Sequence, residues 1–110
     1  MTEKGLKYLS DILMANNLIE DFNKEIADFK MYEQDHKTQS TVERQLAIIG
    51  EALNQFRKNE LTVQIENDKQ IVAFRNRLVH AYDSIDNSIV WVIISKPIKP
   101  LKSEIERLVQ

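Results

Sequence analysis

Apolar residues recur at intervals of three and four positions along most of this chain, which is the spacing of one face of an α-helix. The longest series predicts a first helix that continues to Phe29, although Asn16 and Asn17 could break it. Its apolar positions are Tyr8, Ile12, Ala15, Ile19, Phe22, Ile26 and Phe29. Residues 31–39 lose this period and are predicted to form a linker.

A second helix is predicted after the linker. Ser40 can cap its first turn, and Glu43 lies three residues later, as in a capping box. The apolar positions of this helix are Val42, Leu46, Ile49, Leu53 and Phe56. The polar residues 57–60 are predicted to end it.

A third helix is predicted from about Asn67, with Gln70 placed for a box-like cap, to about Tyr82. Residues 83–87 have the composition of a turn. Asp86 is the expected N-cap of a fourth helix that continues through Trp91.

Proline fixes φ and lacks an N–H, so Pro97 and Pro100 should interrupt the helical structure. A last short helix follows, with an apolar stripe formed by Leu101, Ile105 and Leu108. Two glycines and two prolines in 110 residues are too few turn residues for a β-rich fold. The prediction is an all-α bundle of four to five helices in one domain, residues 1–110.

The amino-acid composition excludes several classes of functional site. The formal net charge is −2, so any contact with phosphate requires a local cluster of positive charge. The absence of cysteine excludes disulfides and thiolate sites, and two histidines are too few for a histidine-built metal site. No apolar run approaches the roughly 18 residues of a membrane span, and the N-terminal residues lack a signal-peptide core. We therefore expect a cytoplasmic protein without metal or other cofactor.

The third helix carries the most informative residues. On a helical wheel, its core-facing arc contains Ile71, Phe74, Leu78 and, if the helix extends so far, Ile85. A neighbouring arc mixes apolar and polar residues: Val72, Asn76, Val79, His80 and Asp83. Arg75 and Tyr82 lie at the border of the two arcs, and Arg77 points elsewhere. A face of this mixed character is expected to pack against another surface, with its polar groups converging in a cleft.

His80 lies about 140° around the helix from Arg75. Arg75 must therefore reach around the helix, or meet the histidine of a second subunit. A two-fold dimer that pairs this face with itself would bring two copies each of Arg75, Asn76 and His80 together.

Such a cleft could cleave phosphodiesters without a metal. Two histidines could act as base for a ribose 2′-hydroxyl and as acid for the departing 5′-oxygen. Arg75 could stabilise the charge that develops on the phosphate, and Asn76 could hold the phosphate or orient the histidine. Asp83 could orient His80 or cap the end of the helix. From the spacing alone, a surface arginine and a hydrogen-bonded histidine without catalytic function remain the favoured interpretation.

Residues 75–82, with the sequence Arg-Asn-Arg-Leu-Val-His-Ala-Tyr, closely resemble the Arg-x4-His-x-Tyr motif of HepT-like ribonucleases, which belong to the HEPN superfamily. Residues 83–86 and Trp91 extend this likeness. Residues 42–52 look like the segment that precedes the active-site helix in that family.

The resemblance implies a HEPN helical bundle that works as a homodimer, with the two motifs meeting in a cleft. It implies metal-independent endoribonuclease activity, with Arg75 and His80 as catalytic residues and Asn76 as the polar residue after the arginine. It further implies the toxin of a toxin–antitoxin pair. The partner would be an MNT-type nucleotidyltransferase antitoxin that can transfer AMP to the motif tyrosine, Tyr82.

Two alternatives to a nuclease stay open. The chain could be the non-catalytic substrate- or nucleotide-binding subunit of a nucleotidyltransferase complex, or a structural helical dimer. Among the other residues, His36 is expected to be an exposed linker residue. Arg44 and Glu51, opposite the core stripe of the second helix, are expected to be solvated or to pack in a dimer. Trp91 is expected in the core.

Overall fold

The structure, a computed structural model, describes residues 1–80 and 85–110, and its ordered elements in these residues are helices. They are α1 (Glu3–Asn23), α2 (Phe29–Gln34), α3 (His36–Asn59), α4 (Asp68–Val79), α5 (Asn87–Ser95) and α6 (Leu101–Leu108). The predicted all-α bundle is confirmed. The described residues contain six helices rather than four or five, because α2 is an additional element.

Helix α1 is capped by Thr2, whose Oγ1 accepts a hydrogen bond from the Gly5 N–H at 3.0 Å. Asn16 and Asn17 do not break the helix. Asn16 is buried, and its Nδ2 donates to the carbonyl oxygen of Ile98 at 3.4 Å, which joins α1 to the segment before α6. The predicted extension to Phe29 is wrong, because α1 ends at Asn23 and Phe29 begins a separate helix.

The predicted linker contains the short helix α2. Asp28 caps it by accepting a hydrogen bond from the Met31 N–H at 3.0 Å. Tyr32 is fully buried and contacts Trp91 with a ring-centroid distance of 5.5 Å. Phe29 contacts the same indole edge-to-face at 6.1 Å, so the prediction that Trp91 packs in the core is confirmed. The linker prediction is wrong because a six-residue helix is too short to show a clear apolar period.

Helix α3 begins at His36 and is capped by Asp35. The two carboxylate oxygens of Asp35 accept from the N–H and the hydroxyl of Thr38, at 3.0 and 2.8 Å. These hydrogen bonds lower the pKa of Asp35. The predicted capping box is therefore wrong, since Ser40 lies inside α3; Glu43 is half-buried, and burial raises the pKa of its carboxyl group.

The apolar face predicted for this helix is confirmed. Val42, Leu46, Ile49, Leu53 and Phe56 are all buried. α1 packs along α3 on one side and α4 packs against it on another, so α3 is the central helix of the bundle.

Helix α4 begins next to Asn67, as predicted, but without the predicted box-like cap. Asn67 has a φ of 64°, in the left-handed region, and its side chain makes no capping hydrogen bond. An N-cap side chain reaches the first turn from an extended backbone, which Asn67 does not have. An ion pair between Arg57 and Asp68, at 3.4 Å, links the end of α3 to the start of α4.

The predictions for the last third of the chain agree with the structure more closely. Asp86 caps α5 by accepting from the N–H and hydroxyl of Ser88, at 2.8 and 2.7 Å. α5 continues beyond Trp91 to Ser95, and residues 96–100, which contain both prolines, separate it from α6. Leu101 and Ile105 are buried. None of the helices in the two described ranges combines the length and apolar character needed to span a bilayer.

Candidate active site

Helix α4 carries the first part of the predicted motif and ends at Val79 rather than at about Tyr82, so that His80 follows its last residue. Ile71 and Phe74 are buried and Leu78 is half-buried against the same core, so the predicted core arc of this helix is confirmed. On the neighbouring arc, Asn76 and His80 are exposed. The wheel thus places Asn76 and His80 correctly, but Val72, which it assigned to the neighbouring arc, is buried in the core.

The side chain of Arg75 crosses α3 directly over Gly50. A Cβ atom built at Gly50 would overlap Cβ of Arg75 and lie 2.7 Å from its Cγ. It would also lie 3.4 Å from the carbonyl oxygen of Ile71, so helix backbone as well as side chain is close. Glycine at position 50 therefore allows α4 to approach α3 at this point, and it allows the stem of Arg75 to lie flat across α3.

The guanidinium of Arg75 forms an ion pair with the carboxylate of Glu51. Nη2 of Arg75 lies 2.9 Å from Oε2 of Glu51, and Nη1 donates to Oδ1 of Asn76 at 3.1 Å. Nε2 of Gln55 donates to the other carboxylate oxygen of Glu51 at 3.0 Å. Gln55, Glu51, Arg75 and Asn76 are thus linked across two helices by two hydrogen bonds and, between Glu51 and Arg75, an ion pair.

Sequence reasoning missed the contact between Glu51 and Arg75. It placed Glu51 on the face of α3 opposite the core stripe, where a solvated or dimer-packing role was expected. The side chain of Glu51 is indeed 45% exposed, but it faces α4 and is paired. The available signal was the adjacent Gly50, a residue without a Cβ in the middle of a long helix.

Arg75 and Glu51 lie on one wall of an open cleft of about 370 Å³, which we call the α1–α3–α4 cleft. Its lining is formed by Tyr8, Asp11, Arg44, Ala47, Ile48, Glu51, Ala52, Gln55, Arg75 and Val79. Ile48 and Val79 are 37% and 48% exposed, so large apolar groups flank the charged cluster. The cleft therefore combines paired charges with solvent-exposed apolar surface.

His80 directly follows α4 and is exposed. Within the described residues its side chain has no hydrogen-bond partner, and it is not among the residues that line the α1–α3–α4 cleft. The chain thus turns Arg75 towards α3 and leaves His80 at the end of α4. The structure does not bring the two catalytic candidates together within one chain, in agreement with their angular separation on the wheel.

Two further candidates, Tyr82 and Asp83, lie outside the described residues. Asn76 is exposed and is held by Arg75 rather than by His80. Arg77 points away from this site, as predicted, into a groove between α4 and α5. Hydrogen bonds from Ser88 lower the pKa of Asp86, and the positive charge of Arg77 adds a smaller effect in the same direction.

Of the remaining candidates, His36 lies outside the lining of the α1–α3–α4 cleft and Arg44 is part of that lining. His36 is exposed, as expected, but it is the first residue of α3 rather than part of a linker. Arg44 is exposed and lines the cleft. In the part of the chain that the structure describes, no cluster of three or more His, Asp or Glu side chains is arranged to hold a metal ion.

Comparison with known proteins matches residues 12–108 to the family described as ribonuclease HepT-like. "Probable ribonuclease HepT" of Thermococcus cleftensis is 36% identical over 102 residues, which cover 92% of each chain. "Putative RNase MJ1380" of Methanocaldococcus jannaschii is 32% identical over 109 residues, which cover 96% of this chain and 98% of the relative. No solved structure matches the chain significantly.

These matches define the class of protein as a helical ribonuclease. The chain belongs to the HepT-like ribonuclease family. The resemblance stated from the motif is confirmed, and so is the predicted class of enzyme.

Proposed function

We propose that the chain is the endoribonuclease toxin of a HEPN/MNT toxin–antitoxin pair, acting without a metal on RNA in the cytoplasm. Arg75 and His80 are its catalytic residues, and the working unit is a homodimer. The observation that carries the proposal is the site itself. The guanidinium of Arg75, paired with Glu51, faces the α1–α3–α4 cleft, and the exposed His80 lies at the end of the same helix. The chain that carries them belongs to a ribonuclease family.

A second copy of the chain is needed because a single chain holds Arg75 and His80 apart. The apolar surface beside Arg75 supports this partner. Ile48 and Val79 flank the cleft, and Met14 and Leu18 lie three and seven residues beyond the lining residue Asp11 on α1. Residues at this spacing share one side of a helix. Contiguous exposed apolar groups of this kind mark an interaction surface, and a two-fold contact here would bring both Arg75–Glu51 clusters together.

The chemistry follows from the side chains. His80 of one protomer removes the proton of a ribose 2′-hydroxyl, and the 2′-oxygen attacks the adjacent phosphorus. His80 of the other protomer gives a proton to the 5′-oxygen as the P–O5′ bond breaks. Arg75 stabilises the negative charge on the phosphoryl oxygens, and Asn76 holds the guanidinium and contacts the phosphate. The products are a 2′,3′-cyclic phosphate and a 5′-hydroxyl, with no net gain or loss of protons by the enzyme.

Regulation is assigned to an MNT-type nucleotidyltransferase. The phenolic oxygen of Tyr82 attacks the α-phosphorus of ATP bound to that partner, pyrophosphate leaves, and the phenolic proton passes to solvent. Tyr82 is two residues beyond His80, so the AMP group would add negative charge and bulk where RNA must enter.

The test compares the two histidines of the chain. Purified wild-type protein should cleave RNA in the presence of EDTA, and His80→Ala should abolish cleavage while the protein stays folded and dimeric. His36→Ala is the matched control, since His36 is also exposed but lies at the start of α3, and it should cleave at the wild-type rate. Full activity of His80→Ala would disprove the proposal.

A growth assay distinguishes the nuclease from the alternative binding subunit. Expression without the partner should arrest growth if the chain is a toxin. His80→Ala should relieve the arrest and His36→Ala should not. Harmless expression of the wild-type chain, combined with no cleavage in vitro, would favour the nucleotide-binding subunit instead.

A further inference from the structure

Among the described residues, the polar contacts of the Arg75 guanidinium involve its two terminal nitrogens and not Nε. An arginine has five N–H donors. Within the described residues, Nη1 of Arg75 donates to Asn76, Nη2 is ion-paired with Glu51, and the remaining donors have no protein acceptor. Because the two contacts involve different nitrogens, they fix both the position and the plane of the guanidinium.

Glu51 is itself held in place. Its second carboxylate oxygen accepts from Gln55, one turn later on α3, at 3.0 Å. Gly50 supports the same geometry, because the stem of Arg75 rests where a Cβ would otherwise project. The position of the guanidinium is thus set from α3, by residues that the proposed chemistry does not use.

We propose that Glu51 is the positioning residue of Arg75, an inference that rests on the proposed ribonuclease function. An unpaired arginine at a cleft would sample many rotamers, and only some would present its donors to the phosphate. Glu51 removes this freedom before RNA binds, so that the donors are preorganised for the charge of the transition state. Glu51 does not contact RNA.

The charge of Glu51 gives the proposal a distinctive kinetic signature. A carboxylate beside the cleft repels the phosphates of RNA, so neutralising it should leave binding unchanged or strengthen it. Losing its hold on Arg75 should nevertheless slow the chemical step. A residue that only stabilised the fold would not separate kcat from KM in this way.

A second ion pair provides a matched control. Lys102 and Glu20 join α6 to α1 at 3.1 Å, and the side chain of Glu20 is 51% exposed, close to the 45% of Glu51. Exposed pairs of this kind contribute little to stability. The same substitutions at Glu20 therefore reproduce the loss of a surface ion pair without touching the cleft.

The experiment measures RNA cleavage in EDTA by Glu51→Gln and Glu51→Met, beside the same two substitutions at Glu20. Glutamine keeps an acceptor and loses the charge, whereas methionine loses both. We expect kcat to fall in the order wild type, Glu51→Gln, Glu51→Met, by about 10- to 100-fold for the last, without an increase in KM. Both Glu20 variants should match the wild type. A wild-type kcat for Glu51→Met, or a loss confined to KM, would overturn the proposal.

A measurement without RNA separates this proposal from the proposed function. The side-chain Nε–Hε resonance of Arg75 is assigned in NMR spectra by its absence in Arg75→Lys. It should shift and broaden in Glu51→Met, as the guanidinium is released, and stay unchanged in Glu20→Met. An unchanged resonance in Glu51→Met would overturn the positioning role, even if the wild type cleaves RNA. Absence of cleavage by the wild type would overturn the proposed function alone.

Discussion

Arg75 and Gly50 are in direct contact across the crossing of α4 and α3, and this contact determines where the guanidinium lies. The atoms involved are the first two carbons of the arginine stem, and Cβ, which is fixed to the backbone, cannot move away without moving α4. The carbonyl oxygen of Ile71 is near the same point. Position 50 is therefore sensitive to the addition of a single methyl group.

We expect Gly50→Ala to reduce both stability and activity. The added Cβ overlaps the Arg75 stem and separates the two helices, and overpacking of this kind costs about 1–3 kcal/mol. Displacement of Arg75 should lower kcat in the same variant. Chemical denaturation measures the first effect and cleavage in EDTA measures the second.

Gly5→Ala is the control for this substitution. A Cβ at Gly5 would approach Oε1 and Cγ of Glu60, the latter at 3.0 Å, and this side chain can rotate away with the loss of two exposed hydrogen bonds from Thr2. Alanine also has the higher helix propensity. Its free energy of unfolding should stay near the wild-type value and its activity should be unchanged. Equal destabilisation by both substitutions would show that the Arg75 contact is not the cause.

Local rules explain which parts of this fold were predictable. The buried face of α3, the Asp86 cap and the breaks near Pro97 depend on residues a few positions apart, so the sequence contains the whole signal. The wheel of α4 likewise separated Arg75 from His80 correctly. Helix α2 was missed because six residues do not establish a period. Ser40 and Asp35 are both good N-cap residues, and the structure has Asp35 in that role, so residue type alone does not distinguish the two starts.

The pairing of Glu51 with Arg75 could not be obtained from either helix alone. It depends on the position at which α4 crosses α3, and neither wheel contains that information. The same limit applies to the second copy in the proposed active site. Its presence was inferred from the separation of Arg75 and His80, and the flanking apolar residues became visible only in the folded chain.

The N-cap of α3 gives a prediction that depends on pH. We expect Asp35→Ala to lower the melting temperature at neutral pH, because the N–H and the hydroxyl of Thr38 lose their acceptors. Ser40→Ala is the control, since Ser40 lies inside the helix, and it should melt like the wild type. Melting by circular dichroism checks both. A larger loss for Ser40→Ala would contradict the observed cap.

The direction of the pH effect follows from the lowered pKa of Asp35. In the folded state the pKa of the Asp35 carboxyl group lies below its ordinary value of 3.8. The stabilisation by the cap is therefore fully present above pH 3.8. It is lost as the pH falls through the lower pKa of the folded state. The difference in melting temperature between wild type and Asp35→Ala should therefore shrink below about pH 4. Asp35→Asn keeps an acceptor without titrating, so its own cap should show no such change.

The proposed dimer predicts that a charged substitution disrupts dimerisation on one side of α4 and not on the other. Ile48→Glu places a charge beside the α1–α3–α4 cleft and should give a folded monomer that no longer cleaves RNA. Val92→Glu is matched in exposure, at 44% against 37%, but faces the groove between α4 and α5, and it should stay dimeric and active. Light scattering after size exclusion measures the mass. A monomer for Val92→Glu and a dimer for Ile48→Glu would place the interface on the other groove.

Co-expression with an MNT-type nucleotidyltransferase tests Tyr82 as the AMP acceptor. Intact-mass spectrometry should show one or more AMP additions on the wild-type chain and none on Tyr82→Phe. Tyr8→Phe is the control, because Tyr8 is partly exposed in the cleft, whereas Tyr32 is fully buried and inaccessible to a partner enzyme. The modified chain should lose RNA cleavage, since the added phosphate repels RNA beside His80. AMP retained on Tyr82→Phe would assign the modification to another residue, and an unmodified but neutralised chain would show that the antitoxin acts by binding.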